Sequence, residues 1–516
     1  MTERSATHAA PPSRDSVEAR EPRGKETDRG RPDKIGTIAS PESGGASTES
    51  AEGGRPRVRR ERFRRRRDRS RRNGDTDTGD RNEASSDGEF VDGGDSEEGG
   101  DGSGEGGLDA NGERRPFKTR KQRFLERKEK DRAREEAALE ASEPVESEGL
   151  VEISPKGFGF LRERIRSFQQ SPLDVFITPE VVRDYGLRDG LWVKAISKQG
   201  VRGPQLVDLL TINGREPQAY AQLPYFEELT AINPNKKLTL ETEKTRATTR
   251  VIDLVAPIGR GQRGLIVAPP RTGKTTLLHH IAEGIRKNYE DEIHLMILLV
   301  DERPEEVTDF ERSFPDVEVF SSSNDGEGKD HTRIALLAIE RAKRLVEAGE
   351  HVVMLLDSIT RLARSFNSQM RGGGSRGTAS GGLLVGALEI PRRIFAAARN
   401  TREAGSLTII ATALIQTNSK ADEAIFQEFK GTGNMELVLD RQIAQNYVYP
   451  AVDIHKSGTR REELLLPPHV LEKMYVIRRG LGGYKPLEAM EWLLRCMDRY
   501  PSNAQMLLDI KTQALA

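Results

Sequence analysis

The residues best suited to chemistry in this chain are Ala268-Pro269-Pro270-Arg271-Thr272-Gly273-Lys274-Thr275. They follow the apolar run Leu265-Ile-Val and lead through Thr276 into Leu-Leu-His-His-Ile-Ala, which reads as a helix. A strand, a tight loop ending in Gly-Lys-Thr and a helix make the setting of a phosphate-binding loop. Backbone N–H groups of such a loop, with the helix N-terminus, surround a β-phosphate. Lys274 offers a point charge to the β and γ oxygens, and the Thr275 hydroxyl can ligate Mg2+. Ala268 stands where the strict pattern has glycine, a departure of one methyl group. A chance Gly-Lys-Thr in a surface loop is the alternative, and the flanking strand and helix weigh against it. The expectation is a nucleoside triphosphate site spanning Ala268 to Thr276.

Two more apolar runs carry acids at their ends. His294-Leu-Met-Ile-Leu-Leu-Val300 ends in Asp301-Glu302-Arg303-Pro304, and His351-Val-Val-Met-Leu-Leu356 ends in Asp357-Ser358. Such runs suit strands buried on both faces of a parallel sheet. Ligands of open α/β sheets sit beyond the carboxyl ends of the strands, which puts both acids near the phosphates. Asp357 is placed to hold Mg2+ through water, and Glu302 to orient or deprotonate an attacking water. A lone acid after a strand also serves as a helix cap. Three phosphate-site elements in order, with helical spacers between them, favour the catalytic reading.

These residues need a scaffold, and the composition limits where it lies. A length of 516 residues suggests about three domains, yet residues 1–145 are rich in Arg, Glu, Asp, Gly and Ser and poor in aliphatics. Such a segment buries too little apolar surface to offset its ordering entropy and is expected to be disordered. The net charge of −1 conceals patterning: an arginine block at Arg55–Arg72, an acidic tract at Asp75–Asp109, and a Lys/Arg/Glu-dense stretch at Pro116–Glu140 that could form a solvated helix. The charge runs are either a solvated tail or an arm for polyanions. Cys496 is the single cysteine, which excludes a disulfide framework and a cysteine-based metal site. Polar residues follow Met1 and no apolar run reaches membrane-spanning length, so a cytoplasmic protein without membrane association is expected.

Between Gly149 and Asn213, five short strand candidates are punctuated by Gly, Pro and Asp. They suit a small all-β barrel of the oligonucleotide-binding (OB), cold-shock-like type. Lys156-Gly-Phe-Gly-Phe-Leu-Arg162 sets Phe158 and Phe160 on one strand face. Base stacking on such rings contributes ~1–3 kcal/mol, and Arg162 can take a phosphate or a base edge. Alternatively, the two rings fill the barrel core.

In order, Gly-Phe-Gly-Phe-Leu-Arg, Ile-Val-Ala-Pro-Pro-x-x-Gly-Lys-Thr, Asp-Glu-Arg-Pro-Glu-Glu-Val-Thr, Asp-Ser-Ile-Thr-Arg-Leu-Ala-Arg, Glu-Phe-Lys-Gly-Thr-Gly-Asn-Met-Glu and Ser-Gly-Thr-Arg span this chain from about Gly149 onward. The set closely resembles the bacterial transcription termination factor Rho family. The resemblance implies a homohexameric, RNA-dependent ATPase and helicase that uses ATP and Mg2+. Its RecA-like motors would ring single-stranded RNA, its barrels would capture pyrimidine-rich RNA, and RNA polymerase with elongation factors would be its partners.

By position, the resemblance makes Lys274 and Thr275 the phosphate-loop pair, Glu302 the catalytic carboxylate and Asp357 the magnesium acid. It sets Arg303 beside the γ-phosphate and makes Arg460 an arginine finger for the neighbouring subunit; an ion pair with Glu462 or Glu463 is the other reading of Arg460. Ser375–Gly382, with Arg376, resembles one channel loop, and Thr417 through Lys430, with Lys420, a second. A Gly/Ser stretch of this kind also suits a plain linker. Asp174 and Arg202 remain plausible RNA contacts. The chain departs from the family pattern in three places. No helical subdomain is recognisable before the barrel, Gly200–Pro204 lacks an aromatic, and Arg376 falls one position early.

The expected organisation is a disordered charged region over 1–145, an OB barrel over 146–215, a linker over 216–244 and a RecA-like α/β motor over 245–516. A proton-translocating or secretion-type ring ATPase shares that motor and is the alternative. The Gly-Phe-Gly-Phe barrel counts against it.

Overall fold

A computed structural model describes residues 119–371, 377 and 380–510. The arginine block, the acidic tract and Arg376 lie outside the described residues. Helix α1, Arg120–Ala141, opens the described chain. Thr119 and Gln122 cap it reciprocally through side chain and backbone, and its Arg, Lys, Glu and Ala residues are strong helix formers. Part of the segment expected to be disordered is therefore an ordered helix, and the barrel's first strand follows it within a few residues.

Five strands close the barrel: β1 Val145–Ile153, β2 Gly159–Arg162, β3 Val175–Ile177, β4 Trp192–Gln199 and β5 Pro204–Ile212. Their order is β1-β2-β3-β5-β4, with β3 and β5 parallel. Alternation sends Val151, Leu161, Ile177, Val193 and Leu206 inward to a small core. Phe158, Phe160 and Phe176 stay outside that core.

The motor sheet uses β6 Arg263–Ala268, β7 Ile293–Glu302, β8 Glu318–Ser323, β9 His351–Asp357, β10 Ser406–Leu414, β11 Met435–Val438 and β12 Gly458–Thr459. Their order is β8-β7-β9-β10-β6-β11-β12, and all pairings are parallel except β12 on β11. Parallel strands need crossovers, supplied here by α2 Lys274–Tyr289, α3 Pro304–Ser313, α4 Gly328–Glu347 and α5 Ile359–Arg371. The β6, β7 and β9 strands consequently end along one edge, at Ala268, Glu302 and Asp357.

Residues 216–244 join barrel to motor but are no bare tether. Tyr220, Phe226, Leu229, Leu238 and Leu240 are buried. Ala231–Ile232 pairs with Arg399–Thr401, and Lys237–Leu238 with Ile258–Gly259. Barrel and motor also meet directly. Phe168 stacks on Phe320 at 4.2 Å between centroids. Arg341 of α4 donates to Glu318 at 2.8 Å and to Asn213 of the barrel at 2.9 Å.

Candidate nucleotide and RNA sites

The loop after β6 folds as its sequence suggests. Arg271 and Gly273 take positive φ, 64° and 84°, the latter a conformation open to glycine at little cost. Thr272 is buried and donates its hydroxyl to the Pro269 carbonyl at 2.8 Å, which closes the loop on itself. Gly273 is the N-cap of α2, so Lys274, Thr275 and Thr276 form the helix's first turn, where backbone N–H groups lack internal partners. Ala268 and Pro269 are buried, whereas Pro270, Arg271 and Thr276 are exposed.

Lys274 Nζ ion-pairs with Asp357 Oδ1, and Thr412 of β10 donates to the same oxygen at 2.8 Å. Asp357 Oδ2 is buried without a hydrogen-bond partner among the described residues. Glu302 is 2% exposed. Burial raises its carboxyl to about 7; Lys274 and Arg361 pull the other way, and Asp357 adds to the rise. Arg361 of α5 lies 3.2 Å from Glu302 Oε2 and also bonds the Asp301 carbonyl. Thr275 donates to Glu306 at 3.3 Å. Oxygen donors from Thr275 and Asp357, one of them unsatisfied, suit Mg2+, which binds through one or two carboxylates plus substrate phosphates.

Two neighbours of this site escaped the sequence reading. Arg361 is separated from Glu302 by two strands and two helices. Tyr449 covers the loop: a Cβ on Gly273 would lie 3.6 Å from its ring. No local pattern marks either one, because only the packed sheet brings them in. Arg303, by contrast, is exposed and among the described residues lies near one carboxylate, Glu306, at 3.8 Å.

Arg460 is exposed just past β12, and its backbone N–H bonds the Asn434 carbonyl at 2.9 Å. The carboxylates that could have paired with it are engaged elsewhere. Glu462 accepts from Arg478 at 2.6 and 2.8 Å, and Glu463 from Arg461 at 2.5 Å.

On the barrel, Phe158, Phe160 and Phe176 form a triangle with ring centroids 5.6–5.7 Å apart. All three are partly exposed, so the core-filling alternative fails. Phe176 was not singled out from sequence, since it lies on a different strand. Arg162 lies beneath this cluster, 4.8 Å from the Phe160 centroid. Its guanidinium is buried and paired with Asp174 and, at 2.5 Å, with Glu152. Arg162 and Asp174 thus hold each other in a buried pair, and only the rings and Arg202 stand open to solvent. Glu152 also accepts from Arg333 of α4 at 3.0 Å, which ties the floor of the aromatic cluster to the motor.

Lys420 and Lys430 are exposed at opposite ends of the 11-residue helix Lys420–Lys430. They are therefore about 15 Å apart along its axis. Arg364 of α5 anchors that helix through Asp422 at 2.7 Å.

A phosphate loop, two strand-end carboxylates and a parallel sheet, preceded by a barrel with an exposed aromatic face, define a RecA-like ATPase with an OB-type nucleic-acid module. Residues 248–459 match the nucleotide-binding domain of the ATP synthase alpha/beta family, and residues 147–218 match the Rho termination factor RNA-binding domain. Transcription termination factor Rho of Aquifex aeolicus is 43% identical over 377 residues, covering 72% of this chain and 86% of that protein. The Cereibacter sphaeroides factor is 46% identical over 375 residues, with 71% and 88% covered. The Borreliella burgdorferi factor is 48% identical over 359 residues, with 69% of each covered. The chain belongs to the Rho transcription termination factor family. It is an RNA-dependent ATPase and helicase that acts in transcription termination. The motor alone would also suit a proton-translocating or secretion-type ring ATPase; the RNA-binding domain decides against that.

Proposed function

We propose that this chain works in the cytoplasm as a homohexamer, threading single-stranded RNA through its centre and acting on RNA polymerase with its elongation factors. ATP is held by Ala268–Thr276, with Tyr449 placed to stack on its base. Thr275 and Asp357 hold Mg2+, which when bound neutralises charge on the β- and γ-phosphates. Lys274, now paired with Asp357, turns to the phosphate oxygens. Glu302 orients and deprotonates the attacking water, and Arg361 holds its carboxylate in place. Arg460 of an adjacent subunit, with Arg303, completes the charge around the γ-phosphate. Arg376, Lys420 and Lys430 contact the RNA backbone in the channel. Phe158, Phe160 and Phe176 stack bases at the barrel, Arg202 contacts the strand beside them, and the Arg162–Asp174 pair supports the rings.

The observation that carries this reading is the convergence of Lys274, Asp357 and buried Glu302 at the carboxyl edge of one sheet, in a chain that also bears an exposed aromatic triangle. The experiment is ATP hydrolysis with and without poly(C). The parent protein should respond to the RNA, Lys274→Ala should lose nucleotide binding, and Glu302→Gln should bind ATP with hydrolysis reduced about 10²–10⁴-fold. Hydrolysis indifferent to RNA would refute the coupling. Parental turnover by Glu302→Gln would refute the role of that carboxylate.

A further inference from the structure

Helix α1 packs in an unusual way for a helix at the edge of a domain. Such helices normally bury an apolar stripe, yet Phe124 and Leu125 of α1 are exposed, at 67% and 48%. A cleft of about 800 Å³ separates α1 from the barrel, floored by Phe160 and Phe176 and closed at one side by the turn around Arg202. Arg127, Lys128, Arg132 and Arg134 line its far wall together with the acids Asp131 and Glu135. Val201 N–H donates to Glu135 at 3.2 Å and pins the helix to that turn.

The cleft wall of α1 is net positive: four basic residues stand there against Asp131 and Glu135, and Glu135 is engaged by the Val201 N–H. With about 3.6 residues per turn, Arg127, Lys128 and Arg134 share the side that borders the cleft. By the same spacing Glu129, Glu136 and Glu140 fall on the opposite side. The space between aromatic rings and a wall of net positive charge suits a chain of flat apolar faces joined by anions. Only an unpaired strand can turn its bases onto the rings while its phosphates face away from them.

We propose that α1 is the second wall of the barrel's RNA cleft, with Arg127, Lys128 and Arg134 binding phosphates of the strand whose bases stack on Phe160 and Phe176. This rests on the reading of the barrel face as the RNA site. The helix thereby converts an open stacking surface into a two-sided groove, and it stands just before the barrel, where no helical subdomain was recognisable from sequence.

The test is the affinity of the full chain for a short oligocytidine from about 50 to 300 mM salt. Each phosphate contact on a single strand contributes about 0.7 to the slope of log affinity against log salt. The triple variant Arg127→Gln, Lys128→Gln, Arg134→Gln keeps good helix formers. It should flatten that slope by about 2 and weaken binding at least tenfold at 100 mM salt. Neutralising the outer face with Glu129→Gln and Glu140→Gln should leave the slope as it was, and Phe160→Ala should weaken binding without changing it. An unchanged slope in the triple variant would overturn the proposal. So would tighter binding, which would make α1 a lid that competes with RNA. In either case a loss of affinity in Phe160→Ala would leave the barrel reading standing, and its absence would remove that reading as well.

Discussion

Glu302, the carboxylate proposed to activate water, also bears on stability. Its proton is held to about pH 7 in the folded chain, against an ordinary value of 4.5. Between those values the folded state binds a proton that the unfolded state has released, so stability falls as pH rises through this window. Glutamine cannot ionise and escapes that loss. The nucleotide-free Glu302→Gln protein should therefore melt increasingly above the parent as pH rises from 5 to 8. The gain should reach about 1–3 kcal/mol, since each pKa unit is worth 1.36 kcal/mol. Thermal unfolding across that range measures it. A difference that stays constant with pH would mean that Glu302 is not the titrating group. Little of this was visible in the sequence. The apolar run before Glu302 announced a buried strand end, but Arg361 and Tyr449 are brought close by sheet order, which no local spacing encodes.

At the scale of elements, the parts that were legible are those whose signal is local. Apolar runs gave β6, β7 and β9, and the Gly-Lys-Thr loop gave the start of α2. The five barrel strands also fell close to their expected places. The illegible parts depend on packing between distant segments. Residues 216–244 read as a linker because Pro and Asn dominate parts of them, yet Tyr220, Phe226 and Leu238 pack into the fold. The barrel's seat on the motor was equally hidden, and much of it passes through Arg341 and Glu318. Burial alone would raise the Glu318 carboxyl, but Arg341, with His294, holds it well below the usual carboxylate range. The stabilisation is thus present above about pH 4.5 and is lost as pH falls. Arg341→Ala would leave a buried charge unpaired and should cost ~3–5 kcal/mol near neutral pH. Lysine should recover only part of this, because Arg341 grips both oxygens of Glu318. In thermal melts the deficit of Arg341→Ala should shrink below about pH 4.5. A deficit that persisted there would place the damage in lost packing instead.

At the scale of the whole molecule, the position of Arg460 decides whether a single chain holds a complete catalytic site. β12 pairs with the start of β11, and β11 begins beside Gly264, near the amino end of β6. The phosphate loop leaves the opposite end of β6, about 15 Å away at the usual rise of a strand. Arg460 therefore follows a strand at the end of the sheet remote from its own phosphate loop, and in the assembly we propose it serves the site of an adjacent copy. A head-to-tail contact of this kind gives a ring where its rotation closes, as the proposed hexamer requires. An arginine supplied across such an interface contributes about 10³–10⁵ in rate for phosphoryl transfer. Arg460→Ala should bind ATP with near-parental affinity and hydrolyse it slower by a factor in that range. Lys274→Ala should fail at binding while still presenting its own Arg460. When the two are mixed in equal amounts and allowed to exchange, about a quarter of the interfaces pair an intact loop with an intact arginine. Hydrolysis should then exceed the sum of the two parents, and the excess should vanish when the double variant replaces either one. Mixed assemblies verified by mass that remain as inactive as the separate variants would show that Arg460 does not act between subunits.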